Sequence, residues 1–350
     1  MRDAGVTLDH GGNIPAAAQR FNIPVERWID LSTGISPWSW PVPPVPQSVW
    51  QTLPYSDDQL ERAAAGYYGC NRDAILAVPG SQYALQHTPA LLRKGRVAIP
   101  QRGYTEHRLA WQRAGHQVVE YADAAVLQEL VSGGCVDHAL VINPNNPTAE
   151  LLSALHLLDM HQRLRASGGW LVVDEAFADV CPAVSLASHC PEPGLIVYRS
   201  VGKFFGLAGI RLGFLLAPTS LCSQMQSAMP PWSLSHPARW IGAAALQDTA
   251  WQAIQRLQLQ RAAQQWLQTL QESVPGLQFS ATDLFASGSG DAAYCEALFQ
   301  ALGRRGVLAR IFEAIEGYSV LRFGLPPPGS VEHLTQLIRE AVEECECELP

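Results

Sequence analysis

Short unbroken apolar runs alternate along this chain with stretches whose apolar residues recur at helical spacing, and the alternation predicts strands separated by helices. LPYSDDQLERAAAGYYG, from Leu53, predicts a helix that starts at Ser56 and Asp57 and stops at Gly69. ILAVPGSQYALQHTPALL predicts a short strand, a Pro-Gly turn and a helix from near Ser81 that Pro89 kinks. RVAIP (96–100) predicts a buried strand followed by a helix through Trp111. HALVINP (138–144) predicts a second strand with a helix over 154–166, and WLVVDEAF (170–177) a third. A fourth, Leu195 to Tyr198, enters a Gly-rich turn, and a further apolar run, Leu212 to Leu216, leaves it. Continuous apolar strands between helices imply an α/β fold with a parallel or mostly parallel sheet covered on both faces. Right-handed crossovers then place every strand's carboxyl end on one edge.

The flanks read differently. Residues 1–36 hold HGGN at 10–13, a short amphipathic piece and WIDLSTGISP, and residues 37–46, PWSWPVPPVP, hold five prolines that favour a stiff extended connector. Beyond about Pro230, WQAIQRLQLQRAAQQWLQTLQE predicts a long core-facing linking helix. The remainder predicts a strand, a helix over 291–304, strands at VLARIF and SVLRFGL, and a closing helix over 331–344. The expected organisation is an arm and connector (1–46), a large domain (47–235), and a linking helix with a small α+β domain (236–350).

Composition narrows the function classes. With 350 residues, 47% hydrophobic and 16% charged, the chain can bury a large core. A formal charge of -8 without a basic face excludes nucleic acid and acidic membranes as expected partners. No apolar run approaches spanning length and the start carries no signal-peptide pattern, so a cytoplasmic protein is expected. The eight cysteines are scattered, as in reduced proteins. Only Cys345 and Cys347 sit close together, with no matching His or Cys cluster, so no metal site is expected.

Chemistry-bearing residues collect at the expected strand ends, where an open α/β sheet places its ligand. Each offers something that a pyridoxal phosphate ring needs. Lys203, flanked by Val201, Phe204, Phe205 and Leu207, can be partly desolvated and free an amine for Schiff-base chemistry. Asp174 can pair with a protonated pyridine nitrogen, Asn146, between Pro144 and Pro147, can donate to the ring oxygen, and Tyr104 has a face to stack on the ring. Gly80, Ser81 and Gln82 open a helix whose N–H groups favour an anion, and Ser200 and Arg211 add a hydroxyl and a forked cation suited to phosphate. Taken singly, each of these also reads as a cap, a turn residue, a surface ion pair or core filler. Their conjunction at successive strand ends is what carries the inference.

PGSQ, PQRGYTEH, NPNNPT, VVDEAF, SVGKFFGLAGIRLGF and VLRFGLP together span most of the chain. In these the sequence resembles the fold-type I pyridoxal-phosphate enzymes, in the branch that holds histidinol-phosphate aminotransferases and L-threonine-O-3-phosphate decarboxylases. The resemblance implies Lys203 on the cofactor aldehyde, Asp174 on the ring nitrogen, Asn146 on the ring oxygen, Tyr104 over the ring, and Ser81, Gln82, Ser200 and Arg211 on the phosphate. It further implies a homodimer, in which Tyr55 reaches the partner's phosphate, and Arg322 on the substrate α-carboxylate. HGGN, WIDLSTGISP, GYTEH and Phe177, where aminotransferases of the branch usually carry tyrosine, resemble the decarboxylases. The implied reaction is decarboxylation of L-threonine O-3-phosphate to (R)-1-amino-2-propanol O-2-phosphate for cobalamin synthesis. The alternatives are a histidinol-phosphate-type aminotransferase and a non-catalytic cofactor-binding homologue. His10, Asn13, Ser32 and Gly34 of the arm are candidates for the substrate's phosphate.

Overall fold

The computed structural model describes residues 10–55 and 59–348 and divides the chain into two compact units. One comprises the residues up to Pro37 together with those from Gln260 onward, and the other is Trp38–Leu259. The composition change near Pro230 suggests a boundary at 235, whereas the contacts place it inside the helix Thr249–Ser273. They likewise divide the expected arm at Pro37. Composition marks where a chain changes character, but packing decides which elements share a core.

The strands in chain order are β1 (Ile29–Asp30), β2 (Ile75–Val78), β3 (Arg96–Pro100), β4 (Gln117–Tyr121), β5 (His138–Ile142), β6 (Trp170–Asp174), β7 (Leu195–Ser200) and β8 (Gly213–Leu216), followed by β9 (Gln278–Thr282), β10 (Phe285–Asp291), β11 (Val307–Leu308), β12 (Arg310–Ile311) and β13 (Tyr318–Gly324). In Trp38–Leu259, seven strands form one sheet in the order β2-β8-β7-β6-β5-β3-β4. Every pairing is parallel except those of β8, which runs antiparallel to both β2 and β7. One expectation is thereby corrected. The carboxyl end of β8 does not join the others, and its amino end, Gly213, pairs with Val78 and Ser200 on that edge. A second difference is β4, which the sequence reading missed with the helix Ala124–Ser132 that follows it. As the outermost strand it is only partly buried, so QVVEY lacks the continuous apolar run that marks the interior strands.

Local signals hold elsewhere. Gly69 ends the helix Leu60–Tyr68 at φ 67, a left-handed conformation that glycine adopts without a Cβ clash. The predicted start at Ser56 and Asp57 lies outside the described residues. Pro89 falls in the last turn of Ser81–Leu91 and so closes that helix near its end instead of kinking it midway. Trp111, Tyr198, Leu140, Val172, Ile196 and Leu215 form the centre of the buried cluster. Each such aliphatic side chain contributes about 1.5–3 kcal/mol by leaving water. No helix among the described residues is long and apolar enough to cross a membrane.

Two core histidines carry a pH consequence. His138 and His116 meet edge to face at 5.5 Å, each with Nε2 on a backbone carbonyl, of Arg93 and Pro89, and each with a buried Nδ1 that lacks a hydrogen-bond partner. Burial, and then the charge of His116, push the pKa of His138 below its ordinary value, against the hydrogen bond to Arg93 O that raises it. The unfolded chain therefore binds a proton at His138 more readily than the folded one. This contribution to stability is complete above the unfolded value of about 6.5 and fades as pH falls through the lower folded value. The expected result is a melting temperature that drops between pH 7.5 and 5.5 by roughly 2 °C more in the wild type than in His138→Gln, read by thermal melts.

In the other unit, β12-β13-β10-β9 form an antiparallel sheet, and β1 pairs in parallel with β11. The segment VLARIF, expected as one strand, divides at Ala309: Val307–Leu308 pairs with Ile29–Asp30, and Arg310–Ile311 pairs with β13. The part of the arm at 29–30 thus completes a two-stranded sheet. The helices Ala292–Arg304 and Val331–Glu348 accompany these strands.

Candidate active site

The edge of the seven-stranded sheet that carries Val78, Ser200 and Asp174 gathers most of the expected residues. Following β2, Gly80 at φ 73 opens the helix Ser81–Leu91, and no side chain caps it. The first N–H groups and the positive end of the helix dipole are therefore available to an anion. Arg211 sits beside this start, its guanidinium so close that a Cβ on Gly80 would lie 2.8 Å from Nη2. A Cβ on Gly213 would lie 2.2 Å from the Ser81 nitrogen. Glycine at both positions lets the helix start, the guanidinium and β8 approach one another. Ser200, the register partner of Gly213, accepts from Gly202 N at 3.3 Å. Backbone donors, a hydroxyl and a forked cation thus share one neighbourhood.

Asp174 ends β6 and is 6% exposed. Its Oδ1 accepts from Ala176 N at 3.0 Å, and its Oδ2 accepts from the buried His107 Nε2 at 2.8 Å. His107 stacks on Tyr198 at 6.3 Å and meets Tyr104 edge-on at 6.0 Å. The sequence reading did not assign His107. The signal was present in its spacing, three residues after Tyr104, since residues three apart share a helix face. Lys203 is half-buried, and its Nζ lies 5.3 Å from the centroid of the buried Phe177 ring. The other lysine of the chain, Lys94, is exposed. Asn146 is half-buried in the turn after β5, which Asn145 pins by donating to Arg102 O at 2.8 Å and Thr148 Oγ1 at 2.7 Å. Tyr104 donates to Gln82 Oε1 at 3.0 Å. The side chain of Gln82 is thus turned toward Tyr104, and its backbone N–H is the part offered to an anion. Tyr55, in the same unit, is 66% exposed.

Behind the ligand edge lies a buried ion cluster that no local pattern announced. Arg199, beside Ser200, donates to Glu175 Oε2 at 2.6 Å and to Asp179 Oδ1 at 2.7 Å. Glu175, beside Asp174, also accepts from Ser185 Oγ at 2.5 Å and Leu186 N at 2.7 Å. Burial pushes the Glu175 carboxyl up, while Arg199 and these donors pull it down. The cluster ties the ends of β6 and β7 together from the side opposite Asp174 and Ser200, because successive side chains of a strand point to opposite faces.

A second constellation lies in the other unit. Arg322 of β13 is buried, donates through Nη2 to Ser32 O, and packs over Phe285 at 5.4 Å and Phe312 at 5.7 Å. Burial, and then the charge of Arg310, push its pKa down to about 9, so it stays cationic at neutral pH. Arg310, which the sequence reading missed, is the direct register partner of Arg322. Two arginines opposed across a sheet are mutually repulsive, an arrangement that an anion relieves. A cavity of about 90 Å³ is lined by His10, Asn13, Arg20, Ser32 and Arg310 among others; Gly34, at φ 63, is not among them. Asn13 Oδ1 also caps the helix Ile14–Phe21 through Ala16 N at 3.2 Å, and Ser32 Oγ donates to Asp30 Oδ1 at 2.6 Å while accepting from Gly12 N at 2.7 Å. No group of three or more His, Cys, Asp or Glu among the described residues is placed to hold a metal.

Fold and edge residues together define a member of a known class: the chain belongs to the aminotransferase class I and II family, whose model matches residues 46–340. Among named relatives, threonine-phosphate decarboxylase from Pseudomonas aeruginosa is 43% identical over 326 residues, covering 91% of this chain and 93% of the relative. Histidinol-phosphate aminotransferase from Sinorhizobium meliloti, solved in complex with pyridoxal-5'-phosphate, shares the fold at TM-score 0.81 with 20% identity, covering 97% of this chain and 96% of that one. L-threonine-O-3-phosphate decarboxylase from Porphyromonas gingivalis superposes at TM-score 0.67 with 18% identity, covering 83% and 93%. The mostly parallel sheet with a separate antiparallel sheet is thus the fold-type I arrangement that the motifs implied.

Proposed function

We propose that this protein is a pyridoxal-phosphate-dependent decarboxylase that converts L-threonine O-3-phosphate to (R)-1-amino-2-propanol O-2-phosphate in cobalamin synthesis. The observation that carries the reading is the 43% identity to a threonine-phosphate decarboxylase over nine-tenths of both chains. The site fits the cofactor on its own evidence. An uncapped helix start packs against Arg211 through two glycines, and a nearly buried carboxylate stands one strand away from the segment that bears Lys203.

When bound, the cofactor supplies an electron sink for the pair left on the substrate carbon as carbon dioxide departs. Lys203 would supply the amine that holds it, and Lys203 or water would give the proton to the substrate α-carbon. Asp174 would keep the ring nitrogen protonated, and His107, on its Oδ2 at 2.8 Å, orients Asp174. The helix start at Ser81 and Gln82, with Ser200 and Arg211, holds the cofactor phosphate. Asn146 would donate to the ring oxygen and Tyr104 would offer its ring face to the cofactor. Phe177 presents no hydroxyl near Lys203, in keeping with the decarboxylase side of the resemblance. Arg322 orients the substrate carboxylate, and Arg310 with His10, Asn13 and Arg20 receives the substrate phosphate. Ser32 acts by shaping the arm, since its hydroxyl is engaged with Asp30 and Gly12.

The active form is a cytoplasmic homodimer in this reading. Exposed Trp50, Leu53, Tyr55 and Trp232 support an apolar partner face, and Thr52 Oγ1, 2.9 Å from His236 Nδ1, ties the two stretches that bear them. The test is release of carbon dioxide from phosphothreonine by cofactor-loaded protein without any 2-oxo acid. One carbon dioxide per amine phosphate is expected. Turnover that requires a 2-oxo acid and releases no carbon dioxide would instead establish an aminotransferase.

A further inference from the structure

The motif GYTEH contains a residue that the proposed reaction leaves unused, Glu106, in the first turn of the helix Thr105–Arg113. Its Oε2 receives two amides from the neighbouring helix, Gln86 Nε2 and Gln82 Nε2, the latter at 3.3 Å. Gln82 and Gln86 are four residues apart and so share one face of Ser81–Leu91. A carboxylate only accepts, so both amides must turn their NH₂ groups toward it. The Gln82 carbonyl consequently faces the other way, onto the Tyr104 hydroxyl at 3.0 Å. A carbonyl only accepts as well, so Tyr104 must be the donor. Four residues therefore form a chain in which the direction of every hydrogen bond is set by one anionic end.

We propose that Glu106 is a positioning residue of the candidate site, fixing Tyr104 through Gln82 as a neutral hydrogen-bond donor with its ring held at the helix start. The inference rests on the cofactor site proposed above, because that is what gives the Tyr104 ring its place. It adds a chemical consequence: the Tyr104 proton is committed to Gln82, which leaves Lys203 and water as the sources of the proton delivered to the substrate carbon. Turning Gln82 over to donate to a phenolate would face its carbonyl to the Glu106 carboxylate, and this opposes ionisation of Tyr104. His107 meets the Tyr104 ring edge-on at 6.0 Å, with Asp174 behind it. Neither is altered by a change at Glu106.

The experiment is an alkaline ultraviolet titration of phenolate formation in the substrate-free protein, with Tyr104 isolated by subtracting the same titration of Tyr104→Phe. In Glu106→Gln the side chain keeps its shape but can donate, so Gln82 is free to turn over. Tyr104 is expected to ionise about one pH unit lower than in the wild type. Gln82→Met, which removes the acceptor, should also lower the Tyr104 titration, and adding Glu106→Gln to it should produce no further shift. Tyr104 titrating alike in the wild type and Glu106→Gln overturns the proposal, as does a full Glu106→Gln shift in the Gln82→Met background. Should Glu106→Gln fail to fold, an unmoved titration in Gln82→Met overturns it equally. Because no substrate is present, a null titration alongside intact carbon dioxide release rejects the role of Glu106 alone. A shift without carbon dioxide release rejects the reaction alone.

Discussion

Lys203→Ala protein, loaded with pyridoxal phosphate and treated with borohydride, is expected to retain no cofactor on the peptide spanning residue 203 and to release carbon dioxide from phosphothreonine at least about 10³-fold more slowly than the wild type. The chain has only two lysines, and Lys94 is exposed, so the trapped peptide is unambiguous by mass spectrometry. Lys203 lies next to the fully buried Phe204 and Phe205, with its amine over Phe177. Alanine at 203 leaves these rings in place, so the fold should survive and the lost covalent link should be read directly. Cofactor trapped on Lys94, or turnover within tenfold of wild type, would refute Lys203 as the cofactor-bearing amine.

Asp174→Asn is expected to lower kcat with phosphothreonine by roughly 10³-fold while the protein still takes up cofactor. Asparagine keeps the shape and can still accept from Ala176 N, but it carries no charge to hold a proton on the ring nitrogen. It also turns the His107 contact at 2.8 Å from a bond to a carboxylate into one to an amide, so the local geometry is nearly preserved while the electrostatics are lost. The visible absorption of the bound cofactor and the single-turnover rate of carbon dioxide release both report this change. A variant within tenfold of the wild type would show that Asp174 is a strand-end cap and no more.

The two variants differ in what they leave behind. In the proposed reaction, removing Lys203 takes away a group that would contact the reacting atoms. Altering Asp174 would change a charge that, in the same proposal, acts on the cofactor ring, and the ion cluster of Arg199, Glu175 and Asp179 is left intact in either case. Within the cluster Arg199 of β7 donates to both Glu175 and Asp179 of the segment after β6, and breaking one member of such a buried pair costs about 3–5 kcal/mol.

Much of the edge was legible from residue patterns alone. β5, β6 and β7 are interior strands whose both faces are covered, so their sequences are continuous apolar runs, and the residues immediately after them are forced to the rim. The reversal of β8 was not legible, because an apolar run of four residues reads the same in either direction and only its neighbours decide its sense. VLARIF could not be divided from its composition, since a two-residue pairing with Ile29 and Asp30 comes from chain that lies far away in sequence. The same holds for Arg310, which becomes a partner of Arg322 only through strand register.

The sequence by itself determined the chemical inventory: one amine in a Gly-rich turn, a carboxylate at a strand end, a helix start with an arginine to match, and the family these belong to. Those are local properties, set by which side chains follow which strand. The tertiary structure decided how they are held. His107 donates to Asp174, Glu106 turns Gln82 toward Tyr104, and Arg199 gathers Glu175 and Asp179. Each of these bonds joins residues that only packing brings within about 3 Å, and the direction of a hydrogen bond is known only once both ends are in place.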